Sequence, residues 1–415
     1  MERYGLLGHP LGHSFSKEIH ESITDYTYEL IDLDLENFHK FMEKRDFSAV
    51  NVTIPYKQEV IPYLDHIDPM AKTIGAVNTV VNRGGSLWGY NTDAVGLKDL
   101  ILRNTDSLTG KTVLILGSGG TSKTARYVAA DLGAEKIYIA SRHENNEDSR
   151  FITYDEIEKI ADSVDVLINT TPLGMYPKPE GKAADVKVFK NLGCVIDVVY
   201  NPLRTKLVLE AKEMGIPAEG GLYMLVSQAV KAIEHFRDCE ISDDVKEKAF
   251  KNVLKKRQNI VFTGMPGSGK TVIGKLVAER LGMKFCDTDE VIESRYAHPS
   301  VIIREKSEAE FRDIESAVTA EIAIENGCVI STGGGAILRQ ENIRNLKMNG
   351  KIFFIDRALE DILPSEDRPL SSTREQLIQV YNDRIDIYRS TCDMVINADC
   401  GPDVASDKVI REMSL

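Results

Sequence analysis

Two glycine-rich turns constrain this chain more than any other feature. Each is entered from an apolar run and left into a segment with helical spacing: "KTVLILGSGGTSKTARYVAADLG" at 111–133 and "NIVFTGMPGSGKTVIGKLVAERLG" at 259–282. A strand that turns through glycines into a helix leaves backbone N–H groups exposed at the helix N-terminus, where they can hold an anion. Such a strand needs parallel neighbours and helices over both faces of the sheet. The runs "KIYIASR", "VDVLINTT" and "CVIDVVY" supply those neighbours after the first turn. The runs "FCDTD", "CVISTGGG", "KIFFID" and "MVINAD" supply them after the second. The expected architecture is therefore α/β with two separate phosphate-binding units.

The two turns differ in chemistry. Read as G-x-x-x-x-G-K-[ST], the first has Ser122 where a glycine belongs, so that reading fails. Read as G-x-G-x-x-G it survives, because a small residue is tolerated in the third glycine place. Gly117, Gly119 and Gly120 are then the backbone approach to a dinucleotide. The second strand ends in Ser141 and Arg142 rather than in an acid, and a cation there suits the 2′-phosphate of NADP(H). The downstream turn matches the P-loop in full: Gly264, Gly267, Ser268, Gly269, Lys270 and Thr271. Its N–H groups would cradle the phosphates of ATP, Lys270 would reach the β- and γ-oxygens, and the Thr271 hydroxyl would bind Mg²⁺.

Composition narrows the partners. At 415 residues the chain is too long for one ordinary domain. Its net charge of -13 disfavours nonspecific nucleic-acid binding. No apolar run of about 18 residues predicts a membrane span, and the N-terminus lacks the pattern of a secretory signal. The six cysteines are scattered without a C-x-x-C, which predicts reduced thiols and a cytoplasmic setting. Small-molecule substrates are the expected partners, and a homo-oligomer is compatible with the sequence. At 241–258, "ISDDVKEKAFKNVLKKRQ" reads as a helix with acids first and bases last, as the helix dipole favours.

Upstream of about residue 255, six ordered motifs resemble shikimate dehydrogenase: "GHPLGHSFS", "NVTIPYK", "GAVNTVV", "GYNTDAVG", "DVVYNP" and "GGLYMLVSQA". The resemblance implies NADPH-dependent reduction of the ketone of 3-dehydroshikimate to shikimate. Lys57 and Asp93 are the candidate proton-handling pair, since a lysine beside a carboxylate can hold a proton near a developing alkoxide. The resemblance makes Lys57 the principal catalytic group. It implies that Ser14 and Ser16 bind the carboxylate, while Asn78, Asp93 and Gln228 bind ring hydroxyls. Thr53 and Tyr200 match further substrate-lining positions. His9 and His13 read as structural. Lys17 and Glu21 depart from the family just after the serines, and Glu144 stands where a second cation often follows Arg142. That leaves use of NAD, or of quinate as substrate, as an alternative.

From about 259 onward, "GMPGSGKT", "DTD", "EAEFRDIE", "STGGG", "DRPL" and "RIDIY" resemble shikimate kinase. The implied reaction is phosphorylation of the shikimate 3-hydroxyl. Thr271 and Asp287 are the expected Mg²⁺ partners, and Asp289 the group that accepts the hydroxyl proton. Arg312 and Arg384 would clamp the carboxylate, and Gly333, Gly334 and Gly335 would allow close backbone approach. Arg368 would arrive on a lid. Ser307 replaces a family glycine, and the lid from Leu359 to Arg368 is short. The expected division is a substrate-binding and catalytic domain at 1–105, an NADP-binding Rossmann domain at 106–220, closing helices and linker at 221–257, and a P-loop domain like the nucleoside-monophosphate kinases at 258–415. A rival reading, an inactive metabolite-sensing regulator, predicts lost catalytic residues. Lys57, Asp93, Lys270 and Asp289 are all present.

Overall fold

The computed structural model of the chain describes residues 2–12, 15–142, 148–365 and 369–413. The chain forms two compact units, Met1–Val253 and Leu254–Leu415. Among the described residues there are three sheets, of six, six and five strands.

The first sheet comprises β1 (Tyr4–Gly8), β2 (Tyr28–Asp32), β3 (Ala49–Val52), β4 (His66–Ile67), β5 (Thr79–Arg83) and β6 (Ser86–Tyr90), in the order β2-β1-β3-β5-β6-β4. It is mixed: β5 runs antiparallel to both β3 and β6. Its core is built from Leu7, Val50, Val52, Val80 and Leu87, all buried.

The second sheet comprises β7 (Thr112–Leu116), β8 (Lys136–Ser141), β9 (Phe151–Thr153), β10 (Val166–Asn169), β11 (Cys194–Asp197) and β12 (Ala218–Glu219). The order β12-β11-β10-β7-β8-β9 is the doubly wound dinucleotide-binding order, and every pairing is parallel. The chain reverses its direction of winding between β7 and β10, which opens a crevice at their carboxyl ends. Gly117 and Thr170 stand directly after these two strands.

The third sheet comprises β13 (Asn259–Thr263), β14 (Lys284–Asp287), β15 (Cys328–Ser331), β16 (Gly350–Asp356) and β17 (Met394–Asn397), all parallel in the order β14-β15-β13-β16-β17. Alternate residues of β13 and β16 enter opposite cores: Val261, Ile352 and Phe354 on one face, Ile260, Phe262, Phe353 and Ile355 on the other. Burial of both faces explains why these strands read as continuous apolar runs.

One close packing sets the geometry of the first unit. The Thr92–Asn104 helix lies against the Leu222–Arg237 helix at Gly96, where an added Cβ would collide with the Met224 carbonyl oxygen. The absent side chain lets two helices distant in sequence share one end, and Asp93 and Gln228 come to line the same cavity. The predicted terminal helix spans Asp243–Arg257. No helix of the described residues is long and apolar enough to cross a membrane.

Candidate active sites

Lys57 sits at the end of a turn that leaves β3. The Tyr56 N–H donates to the Thr53 carbonyl at 2.9 Å, and the Tyr56 hydroxyl donates to the Leu33 carbonyl at 2.6 Å. The buried Tyr56 ring stacks on Phe38, so the turn is held from below and Lys57 projects from it. Asp93 occupies the first turn of the Thr92–Asn104 helix, whose N-terminus is capped by the Asn91 side chain. The Lys57 ammonium donates to Asp93 Oδ2 at 2.5 Å. Asn78 is tied to the same helix start: its Oδ1 accepts from the Thr92 N–H at 2.7 Å and its Nδ2 donates to Thr92 Oγ1 at 3.0 Å.

A cavity of about 200 Å³ brings Lys57 and Asp93 together with Ser16, Thr53, Asn78, Tyr200 and Gln228. Ser14 and His13 lie outside the described residues. His9 stands apart from this cavity, its Nδ1 2.7 Å from Asp32 Oδ1. Lys17 and Glu21, the two departures, form an ion pair with each other one helical turn apart. Sequence reading missed Thr92 and Asn51. Asn51 lines the cavity and links the Tyr28 hydroxyl to Thr79 in a buried polar network. Both residues lie inside motifs singled out for their neighbours.

A second cavity, of about 570 Å³, opens at the crevice between β7 and β10 and is lined by Gly117, Gly119, Ser141 and Arg142. Tyr154 and Lys182 also face it, and sequence reading named neither. Lys182 supplies a second cation on this wall, bound to Glu210 at 2.8 Å. A third cavity, of about 350 Å³, is lined by Gly120 and Thr121 together with Lys57 and Asp93. The fingerprint turn and the proton-handling pair thus border one space. Glu144 lies outside the described residues.

The two phosphate-type helix starts share a feature. Gly119 and Gly269 cap their helices with no side-chain hydrogen bond. By contrast, Asn91, Thr205, Ser307 and Thr373 each cap a helix with a side-chain oxygen. Every helix start has unsatisfied N–H groups. Where glycine replaces the capping side chain, those groups remain for a phosphate. Gly221 caps the Leu222–Arg237 helix likewise, so the glycine-rich turn directly after a parallel strand is what fits residues 117–120 to a dinucleotide and residues 264–271 to a nucleoside triphosphate.

The cavity of the second unit has a volume of about 360 Å³. At one end Lys270 donates to the carbonyls of Gly264 and Met265, both at 2.9 Å. Ser268 is buried in the same loop. Thr271 Oγ1 donates to Asp287 Oδ2 at 2.8 Å, a hydroxyl–carboxylate pair whose hard oxygens suit Mg²⁺. Asp287 also accepts from the Asp289 N–H at 3.0 Å, at the start of the Thr288–Arg295 helix. Burial, and then the charges of Asp287 and Glu315, push the Asp289 carboxyl up to about 6, against the pull of Lys270 and Arg312.

Arg312 donates to Glu315 at 2.6 Å and to Glu308 at 3.2 Å. Its guanidinium enters the cavity over Gly335, where an added Cβ would collide with both terminal nitrogens. Any side chain at 335 would expel it. Arg384 and the Tyr388 hydroxyl both donate to the Gly334 carbonyl, at 3.0 and 2.5 Å. Asp289, Arg312, Gly333, Gly334, Gly335 and Arg384 all line this one cavity with Lys270 and Thr271. Arg368 lies outside the described residues. Ser307 has φ -169, extended backbone that needs no glycine, and its hydroxyl caps the Glu308–Ala323 helix. Sequence reading missed Glu315 as a site residue, although it stands three places after Arg312, the spacing at which helical side chains meet.

Comparison with known proteins joins these observations to two families. Residues 6–80 match the family described as "Shikimate dehydrogenase substrate binding domain", and residues 266–414 match "Shikimate kinase". The shikimate dehydrogenase (NADP(+)) of Clostridium beijerinckii is 38% identical over 257 residues, covering 59% of this chain and 94% of that protein. A crystal structure of a chorismate mutase/shikimate 5-dehydrogenase fusion protein from Clostridium acetobutylicum superposes with a TM-score of 0.58 at 33% identity, covering 61% of this chain and 98% of that one. Shikimate 5-dehydrogenase from Thermus thermophilus, solved in complex with NADP(H) and shikimate, gives 0.53 at 29% identity, with coverage of 61% and 99%. An NADP-dependent oxidoreductase and an ATP-dependent phosphotransferase therefore share this chain. It belongs to the shikimate dehydrogenase family, and a shikimate kinase domain follows the dehydrogenase in the same polypeptide.

Proposed function

We propose that the first unit reduces 3-dehydroshikimate to shikimate with NADPH, and that the second phosphorylates the 3-hydroxyl so formed with ATP. The observation that carries this reading is chemical: each unit pairs a proton-handling side chain with a polar cavity that meets a phosphate-type helix start.

In the first unit, bound NADPH would supply the hydride. Lys57 holds a proton on Nζ and delivers it to the ketone oxygen as negative charge develops there. Asp93, 2.5 Å away, keeps the ammonium aimed, and solvent water restores the proton to Lys57 after each turnover. Asn78, Asp93 and Gln228 hold ring hydroxyls, Ser14 and Ser16 hold the carboxylate, and Thr53 and Tyr200 line the same cavity. Gly117, Gly119 and Gly120 approach the cofactor's pyrophosphate, and Ser141 and Arg142 its 2′-phosphate.

In the second unit, bound MgATP would supply the phosphoryl group. Arg312 and Arg384 hold the shikimate carboxylate, which points the 3-hydroxyl at Asp289. Asp289 takes the hydroxyl proton, and its carboxyl, near 6, is largely ionised at neutral pH yet basic enough for that task. Thr271 and Asp287 hold Mg²⁺. Lys270 and Arg368 neutralise charge on the transferring phosphoryl group.

The test incubates the full-length chain with 3-dehydroshikimate and NADPH, with and without MgATP, and identifies products by mass spectrometry. Shikimate without ATP and shikimate 3-phosphate with it are expected. Shikimate under both conditions would remove the kinase half of the reading, and no turnover would remove both halves. Parallel assays with NADH and with quinate measure cofactor and substrate preference.

A further inference from the structure

The polar groups lining the second unit's cavity divide by chemistry. Lys270, Thr271 and Asp287 stand at the phosphate end, Arg312 and Arg384 suit a carboxylate, and Asp289 suits the hydroxyl that reacts. Shikimate carries two more ring hydroxyls, and nothing so far has been assigned to them. His298 lines the same cavity, half-buried, at the start of the Pro299–Glu305 helix.

The surroundings of His298 define which nitrogen carries its proton. The Ser300 N–H lies 3.3 Å from His298 Nδ1, and a backbone N–H can only donate. Nδ1 is therefore the acceptor that caps the helix, and the neutral ring carries its proton on Nε2. The Ser300 hydroxyl, 2.7 Å from Nδ1, approaches the same nitrogen. Pro299 at the first helical position is pre-organised for the helix start that His298 caps. Among the described residues Nε2 has no hydrogen-bond partner. Two other groups on the cavity wall are engaged: Thr332 Oγ1 donates to the Phe262 carbonyl at 3.0 Å, and Glu290 accepts from Lys275 at 2.9 Å. The buried Glu315 Oε1 has no partner among the described residues, but it can only accept, whereas His298 Nε2 can donate.

We infer that His298 binds substrate, donating from Nε2 to one of the two shikimate hydroxyls that are not phosphorylated, and so helps the kinase discriminate among ring hydroxylation patterns. The inference rests on the proposed kinase activity toward shikimate. It assigns the two ring nitrogens separate tasks, one in the fold and one in recognition, and substitution can separate them. Serine and asparagine both cap helices well, so His298→Ser and His298→Asn preserve the helix start but lack the imidazole Nε2–H and its reach.

The experiment measures kinase kinetics of the full-length chain and of both variants, with thermal melting and dehydrogenase activity as controls for folding. Substrates are shikimate and two analogues, each lacking one non-reacting hydroxyl. The expected result is a rise of about 5- to 10-fold in KM for shikimate in both variants, the size of one lost neutral hydrogen bond, with KM for ATP within about twofold. For one analogue the penalty seen in the unsubstituted protein should vanish in the variants, because the partner is already gone. An unchanged KM for shikimate in His298→Ser would overturn the inference. So would a raised KM with both analogue penalties intact, since His298 would then act only through the fold. If the unsubstituted chain does not phosphorylate shikimate at all, the underlying kinase reading fails, and this inference falls with it.

Discussion

Asp197 and Asp289 are the same acid, each pushed up to about 6 chiefly by burial, in the two units of one chain. Their partners differ completely. Asp197 is fully buried and accepts from Asn169 at 2.9 Å, the Val199 N–H at 3.0 Å and Thr205 at 2.6 Å. Every partner is a donor from the surrounding fold, and the cluster ties β11 to the Val198–Tyr200 segment and to the start of the Lys206–Glu213 helix. Asp289 accepts no side-chain hydrogen bond among the described residues. It faces the negative charges of Asp287 and Glu315, and it opens onto the cavity. The same displacement of a carboxyl therefore has two meanings. Where donors surround it, the shift is a by-product of a structural knot. Where like charges and a cavity surround it, the carboxylate is left basic and reachable.

The largest effects should separate the two aspartates by activity. Asp289→Asn is expected to lower kinase turnover about 10²- to 10⁴-fold, the range for a general base, and to leave the dehydrogenase within about twofold. Lys57→Ala should do the reverse. Assaying both reactions on both variants checks this, and a variant that loses both activities would break the assignment of one pair of roles to each unit.

Stability should separate them next. Asp197→Ala strips three donors of their acceptor in a buried setting, which costs about 2–4 kcal/mol. Calorimetry should show a lowered transition for the first unit and an unmoved one for the second. Equal movement of both transitions would mean that Asp197 is not a local knot.

A smaller effect, about tenfold per pH unit, should appear in kinase kcat/KM. The base must be ionised, so the rate should fall below pH 6 and level off above it. Replacing Glu315 by Gln removes one of the negative charges that hold Asp289 up, so the inflection should move to lower pH. An inflection that stays put would leave burial and Asp287 as the effective causes.

How much of this was legible beforehand follows from which interactions are local. The phosphate turns and their flanking strands could be read because glycine spacing and runs such as "VLIL" and "IVF" are contiguous. The α/β class followed from them. The doubly wound order of β7–β12 is not encoded by periodicity, and it was expected only through the Rossmann fold that the dinucleotide fingerprint implies. β9, β12 and β4 escaped notice because two or three residues carry no period. In the sites, Lys57 and Asp93 were nameable from their motifs, but their 2.5 Å contact joins the turn after β3 to a helix start that Asn78 holds, residues separated in sequence. Lys182 and His298 had no motif to announce them, and only the folded walls of two cavities expose them. Glu315 was readable from its helical spacing to Arg312 and was passed over, since its charge acts on Asp289 across the cavity.

The smallest expected effect tests the comparison most sharply, because it reverses sign between the two aspartates. An aspartate normally titrates near 4 in an unfolded chain. Asp289 titrates near 6 in the folded one, so the folded state binds that proton more tightly. The second unit should therefore lose stability as pH rises from 4 to 6 and hold a constant deficit above. Asp289→Asn removes the ionisation and with it the deficit, offset in part by lost attraction to Lys270 and Arg312. A gain of about 1 kcal/mol at pH 8, absent at pH 4, is expected in the second unit's transition. Asp197→Asn should lose stability at both pH values, since its amide group cannot accept from all three donors that now converge on the carboxylate. A catalytic carboxylate is thus recognised as one whose removal stabilises the fold that holds it, and a structural one as its opposite. A loss of stability in Asp289→Asn at pH 8 would place Asp289 with Asp197 and end the distinction.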